Sequence, residues 1–314
     1  MMKESASPPP PAPQARLPHA ADRLMAAIEL KRAPVCVGID PVVEKLPRDL
    51  LPKAKYPLAE DFVNSLEAYC EPLLEILDTR VACVKFQSAC FERYGWLGCN
   101  LLDRLIEHVS SFLSVAVILD AKRGDIGVSA DHYASAAFDT EWHSGADWLT
   151  INSYLGEDGI TPFLKHEGHG AFALVRTSNP GGDAIQNLEL KDGRTVAQAV
   201  GEMISRIGSN HVGERGYSSL GAVVGATKKQ DAAKLREIMP QQLFLVPGYG
   251  AQGGGLDDVL PCFKPDGTGA IVTASRSIIY AFDPKDPNWT HSVADAAAKF
   301  ADEVGRAVGM RENG

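Results

Sequence analysis

The chain has 314 residues, 45% of them apolar and 23% charged. That composition excludes a largely disordered polypeptide and leaves enough chain for a sizeable core, in two domains or in one α/β barrel. Lys and Arg number 31 against 40 Asp and Glu, a formal charge of −9, which is the wrong sign for a broad nucleic-acid face but compatible with a local basic site for one small anion.

Residues 1–18 are rich in Pro, Ser and Ala, and the four consecutive prolines Pro8 to Pro11 fit neither a helix nor a central strand. This segment is expected to be a disordered tail, followed by one compact domain over 19–314. The opening MMKESASPPPPAPQ has no apolar stretch of the secretory kind, and no apolar run approaches the ~20 residues of a membrane span. The six cysteines (Cys36, Cys70, Cys83, Cys90, Cys99 and Cys262) are scattered without a C-x-x-C pair. That is the usage of a cytoplasmic protein with reduced thiols.

Eight short apolar runs then follow: PVCVGID (34–40), RVACVKF (80–86), SVAVILD (114–120), DWLTI (147–151), FALVRT (172–177), GAVVGA (221–226), LFLVPG (243–248) and GAIVTAS (269–275). Their Val, Ile and Leu content suits strands buried on both faces. Helix-like stretches such as 60–77 and 101–113 lie between them. The alternation predicts a parallel sheet, and eight units predict a single-domain (β/α)8 TIM barrel. The rival, an open doubly wound sheet binding a dinucleotide, wants G-x-G-x-x-G after its first strand; here that strand ends Gly38-Ile39-Asp40-Pro41. The long stretch 183–216 reads as a crossover with extra helix, including 196–207.

In a barrel, reactive groups stand at the C-terminal ends of the strands. Those ends supply Asp40, Lys85, the trio Asp120, Lys122 and Asp125, then Thr177, Ser178 and Asn179, and last the loop PGYGAQGGG and Ser275-Arg276-Ser277. Asp120 and Lys122 are two apart, so on a continuing strand they share a face about 6–7 Å from each other. Gly124 permits a turn before Asp125, and Lys85 comes from the neighbouring strand. The expectation is an alternating cluster of two ammonium and two carboxylate groups. A salt-bridge network that merely closes the barrel top is the bland reading. Burying such charges costs several kcal/mol per ion unless geometry is nearly ideal, which favours a function.

Barrels often bind phosphate with the last two loops. Gly248, Gly250, Gly253 and Gly254 let backbone approach an anion, Gln252 can donate an amide hydrogen, and Arg276 a charged, bidentate pair. His166 and His169 are three apart in a Gly-rich stretch and read as a polar loop, and no His, Cys or carboxylate group has convincing metal spacing. The nucleotide-hydrolysing G-x-x-x-x-G-K-[ST] motif and the serine-hydrolase G-x-S-x-G motif are absent as well.

The segments LDAKRGDIG (119–127), CVGIDP (36–41), VKFQ (84–87), TSNPGG (177–182), PGYGAQGGG (247–255) and ASRSIIYA (274–281) together resemble orotidine 5′-phosphate decarboxylase, in particular its longer bacterial subfamily. The resemblance runs from about Pro34 to Ala281. It implies a cofactor-free (β/α)8 homodimer with shared active sites that converts orotidine 5′-phosphate to UMP and CO2, the last step of de novo pyrimidine synthesis, and that binds neither nucleic acid nor membrane. By matching position it implies that Lys85, Asp120, Lys122 and Asp125 form the family's charged tetrad, with Lys122 the proton donor and Asp125 reaching into the partner's site. Asp40 and Lys85 would hold ribose hydroxyls. Ser129 stands at a ribose-contacting position where Thr is usual. Ser178 would meet the pyrimidine edge, and Gln252 and Arg276 the phosphate, with Gly250 and Gly253 in the phosphate loop. Three alternatives remain open: a metal-dependent sugar-phosphate enzyme on the same barrel, a Schiff-base aldolase using Lys85 or Lys122, and a non-catalytic phosphate-ligand binder. Flanking carboxylates that keep a lysine protonated argue against the aldolase.

Overall fold

The structure is a computed structural model and describes residues 19–112, 114–140, 145–226, 228–250 and 253–312. The tail read over 1–18 therefore lies outside the described residues. Eight strands close into a barrel in chain order, each parallel to its neighbours: β1 Val35–Ile39, β2 Cys83–Gln87, β3 Ala116–Arg123, β4 Trp148–Ile151, β5 Gly170–Arg176, β6 Ser218–Val224, β7 Gln242–Pro247 and β8 Ala270–Ala274. Each coincides with one of the eight apolar runs. Strand bounds differ from the runs by up to three residues; at the site, β3 continues to Arg123 beyond the expected end at 120.

The eleven α-helices among the described residues are α1 Ala20–Lys31, α2 Ala59–Asp78, α3 Ser88–Glu92, α4 Gly95–Ser110, α5 Gly127–Phe138, α6 Asp183–Gln186, α7 Val196–Gly208, α8 Lys229–Ile238, α9 Leu256–Val259, α10 Arg276–Ile279 and α11 Trp289–Ala307. The helix expected over 101–113 starts earlier, at Gly95, and ends at Ser110.

Strand side chains alternate between two cores, as the period of two requires. Val35, Val37, Ile39, Val84, Phe86 and Val117 face the surrounding helices. Cys36, Cys83, Ile118, Trp148, Phe172, Leu245 and Ile271 fill the barrel interior. The same interior cluster takes in Leu24, Met25 and Ile28 of α1, so this helix plugs the N-terminal end of the barrel. Its attachment is polar at the rim. Asp22 accepts the backbone N–H groups of Glu214 and Arg215, and Arg23 pairs with Asp147 at 2.7 Å. The N-terminal end is thus closed by apolar packing, and the C-terminal end is left for chemistry.

The crossover 183–216 contains two helices, α6 and α7. α7 begins with a capping box, in which Thr195 Oγ1 accepts the Gln198 N–H and Gln198 Oε1 accepts the Thr195 N–H. The fully buried Arg176 at the end of β5 bonds Asp183 at 2.5 Å, Gln186 at 3.1 Å and Asp231 at 2.7 Å. This holds α6 beside Thr177 at the barrel mouth.

Candidate active site

The C-terminal mouth holds a cavity of about 390 Å³, within the usual range for a small-molecule site. Its floor is the top inward-facing layer of the strands. Lys85 of β2 and Asp120 of β3 face inward, and Lys85 Nζ donates to Asp120 Oδ2 at 2.7 Å. Lys122 Nζ donates to the other oxygen, Oδ1, at 2.6 Å. Asp40, just past β1, places Oδ1 3.8 Å from Lys85 Nζ. The charges alternate in the order Asp40, Lys85, Asp120, Lys122.

This corrects one expectation. The alternating cluster of four forms within the chain, but its second carboxylate is Asp40, because Asp125 does not line the cavity. Asp125 follows the turn at Gly124, and its Oδ1 accepts the Ile126 N–H at 2.8 Å. Ser129 lies exposed on α5 and does not line the cavity either.

Burial alone would raise the Asp120 carboxyl; Lys85 and then Lys122 outweigh it and bring it down to about 2. Burial alone would lower the Lys85 ammonium, but Asp120 and then Asp40 raise it above its ordinary value. Both shifts favour the charged form at neutral pH, which argues against Lys85 as a Schiff-base nucleophile. The Lys122 side chain is 48% exposed against 7% for Lys85. Of the two lysines, Lys122 is therefore the more open to a bound molecule.

Lys122 also has unusual backbone. Its φ of 46° lies in the left-handed region, which costs a non-glycine residue about 1–3 kcal/mol. The β3–β4 register slips at the same place, from Leu119↔Leu149 to Arg123↔Ile151. Thr150 of β4 sits opposite this bulge, accepting the Lys122 N–H at 3.0 Å and donating to Asp120 Oδ1 at 2.8 Å. Gln87 Nε2 lies 3.5 Å from Asp120 Oδ2. Neither Thr150 nor Gln87 stood out as a site residue in the sequence, although Thr150 is the penultimate residue of the run DWLTI and Gln87 directly follows RVACVKF.

The opposite wall carries Thr177, Ser178, Gly248, Ser275 and Arg276. Gly38 allows this wall to close, since a Cβ there would lie 1.9 Å from Ser275 Oγ. Arg276 is exposed at the start of α10 and faces the cavity. In the loop after β7, Gly250 and Gly253 adopt φ of 70° and 89°. Their N–H groups bond Gly254 O and Gly250 O. Gln252 lies outside the described residues.

His166 and His169 have separate polar partners. His169 Nδ1 bonds Ala146 O at 2.8 Å, and His166 Nδ1 lies 3.4 Å from Asp139. Among the described residues no three His, Cys, Asp or Glu side chains are grouped to hold a metal ion, and no helix is long and apolar enough to cross a membrane.

A family model described as orotidine 5′-phosphate decarboxylase / HUMPS family matches residues 33–287. The chain is 35% identical over 300 residues to an orotidine 5′-phosphate decarboxylase of Rhodopirellula baltica, spanning 90% of this chain and 98% of that one. It is 36% identical over 299 residues to one of Clostridium perfringens, spanning 93% and 97%. A solved structure from Streptomyces avermitilis superposes with a TM-score of 0.79 at 32% identity, covering 94% of this chain and 98% of the other.

Proposed function

The chain belongs to the orotidine 5′-phosphate decarboxylase / HUMPS family, and we propose that its Lys85–Asp120–Lys122 cluster is the centre that decarboxylates the substrate. The protein converts orotidine 5′-phosphate to UMP and CO2 in pyrimidine biosynthesis. The observation that carries the mechanism is the half-exposed Lys122 ammonium held on a buried, ionised Asp120.

Loss of CO2 leaves an electron pair on ring carbon 6. No ring substituent delocalises it, so the site must stabilise it by charge. Lys122 supplies that charge and then transfers a proton from Nζ to the carbon, giving UMP. Asp120 stands against the departing carboxylate. Two like charges 4 Å apart at an effective dielectric of 20 repel by roughly 4 kcal/mol, a repulsion that ends when CO2 leaves. Lys85 keeps Asp120 ionised and, with Asp40, holds the ribose hydroxyls. Ser178 meets the pyrimidine edge. Arg276 and the loop of Gly250, Gln252 and Gly253 hold the phosphate. The chemistry needs no metal or organic cofactor, because protein charges supply both stabilisation and proton.

The active unit is a homodimer with shared sites. Asp125 and Ser129 both sit outside their own cavity, and the residues around them are unusually apolar for a surface. Ile126, Val128, Tyr154 and Leu155 are 55%, 71%, 82% and 48% exposed, as an unpaired interface would be. A cytoplasmic location fits the six free cysteines.

Adding orotidine 5′-phosphate in the presence of EDTA should lower the ultraviolet absorbance as UMP forms. UMP binding without CO2 release would point to a binding protein, and activity lost with EDTA to a metal-dependent relative. Arg276→Ala should raise KM and lower kcat together, since remote phosphate contacts also position the base. Orotidine, which lacks the phosphate, should be a poor substrate for the parent chain and be little affected by the substitution. Equal losses on both substrates would make Arg276 structural.

A further inference from the structure

We infer that Thr150 is a positioning residue for the decarboxylation, its hydroxyl holding the Lys122 backbone and the Asp120 carboxylate as one unit, a role that rests on the decarboxylase reading above. Between the paired positions Leu119↔Leu149 and Arg123↔Ile151, β3 has three residues where β4 has only Thr150. The β3–β4 ladder is broken there: Asp120 keeps its pairing with Gln87 of β2, but no strand pairing orients Ala121 and Lys122. Pairing resumes beyond it, where the Asn152 N–H donates to Arg123 O at 2.8 Å.

The Thr150 side chain takes over the missing connection. Its oxygen accepts the Lys122 N–H at 3.0 Å, and its hydrogen goes to Asp120 Oδ1 at 2.8 Å. Lys122 Nζ reaches the same Oδ1 at 2.6 Å. The result is a closed ring: Lys122 N–H, Thr150 hydroxyl, Asp120 carboxylate, Lys122 ammonium. The Thr150 hydroxyl, bonded to the Lys122 N–H, braces the left-handed turn at Lys122, φ 46°, which sterics disfavour. That turn sends the ammonium back over Asp120. Thr150 is 2% exposed, so solvent cannot readily take the place of its hydroxyl. Without that hydroxyl, the Lys122 N–H loses its partner and Asp120 Oδ1 keeps only the half-exposed Lys122 ammonium.

Thr150→Val and Thr150→Ser separate this role from packing. Valine keeps the volume and β-branching but has no hydroxyl; serine keeps the hydroxyl and loses the methyl. Thr150→Val should lower kcat on orotidine 5′-phosphate at least about tenfold, since small misplacements of reacting groups cost up to ~10²-fold. Its Kd for UMP should stay within about threefold of the parent chain. Thr150→Ser should retain kcat within about threefold. A packing role predicts the reverse order, serine worse than valine. Thermal unfolding checks that both variants fold; if Thr150→Val does not, Thr150→Ala against Thr150→Ser makes the same comparison. Val or Ala kcat within about threefold of the parent, or Ser falling as far as either, overturns the role. A parent chain that releases no CO2 overturns the decarboxylase reading and this role with it, whereas an active parent with an unaffected valine variant overturns only the role of Thr150.

Discussion

Lys122→Ala should lose at least about 10²-fold in kcat on orotidine 5′-phosphate, the usual cost of a removed general acid, while UMP still binds within a few-fold of the parent chain. The cation is lost from the reacting carbon, yet the rest of the site has reason to stay in place. Asp120 keeps Lys85 on Oδ2 and Thr150 on Oδ1, so it remains ionised and oriented. Alanine also carries a Cβ, so the left-handed backbone is no more strained than before. Steady-state decarboxylation with a separate UMP titration checks this. A variant retaining more than about a tenth of the parent kcat would remove Lys122 from the role of proton donor.

Asp125→Ala should be nearly as inactive as Lys122→Ala, and the two variants should complement each other when their subunits are exchanged. Lys122 lines its own cavity and Asp125 does not. A mixed C2 dimer then holds one site with both defects and one site with neither. Random exchange of equal amounts makes about half of the dimers mixed, so roughly a quarter of all sites are intact. The two variants would be denatured and refolded together, with each refolded alone as control. Recovery near a quarter of the parent activity is the expected result. No recovery, with mixed dimers verified through different tags, means that Asp125 serves its own subunit or none.

The eight strands were legible because strands buried on both faces must be continuously apolar, and runs such as SVAVILD and LFLVPG carry that requirement in their own composition. The inward direction of Lys85 and Asp120 was legible for a related reason: the period of two is local, and each residue follows an outward partner, Val84 or Leu119, packed among the helices. The position of Arg276 and of the loop after β7 at the barrel mouth was legible from the strand order.

Other features depended on how separate segments meet. No local pattern marks α1 as the plug of the barrel, because the interior it fills is built from strands far along the chain. Thr150 looks like an ordinary β-branched strand residue in DWLTI, and only the slip between β3 and β4 puts its hydroxyl opposite Lys122. The place of Asp40 in the cluster likewise arises where β1 lies beside β2, pairing Gly38 with Lys85 two residues before the carboxylate. The sequence by itself determined the barrel, the orientation of its strand faces and the residue types at its mouth, since burial and periodicity act over a few neighbouring residues. Which charges touch, and which threonine orders them, only the tertiary structure decided, because strand register, the bulge in β3 and barrel closure are set by contacts between residues distant in the chain.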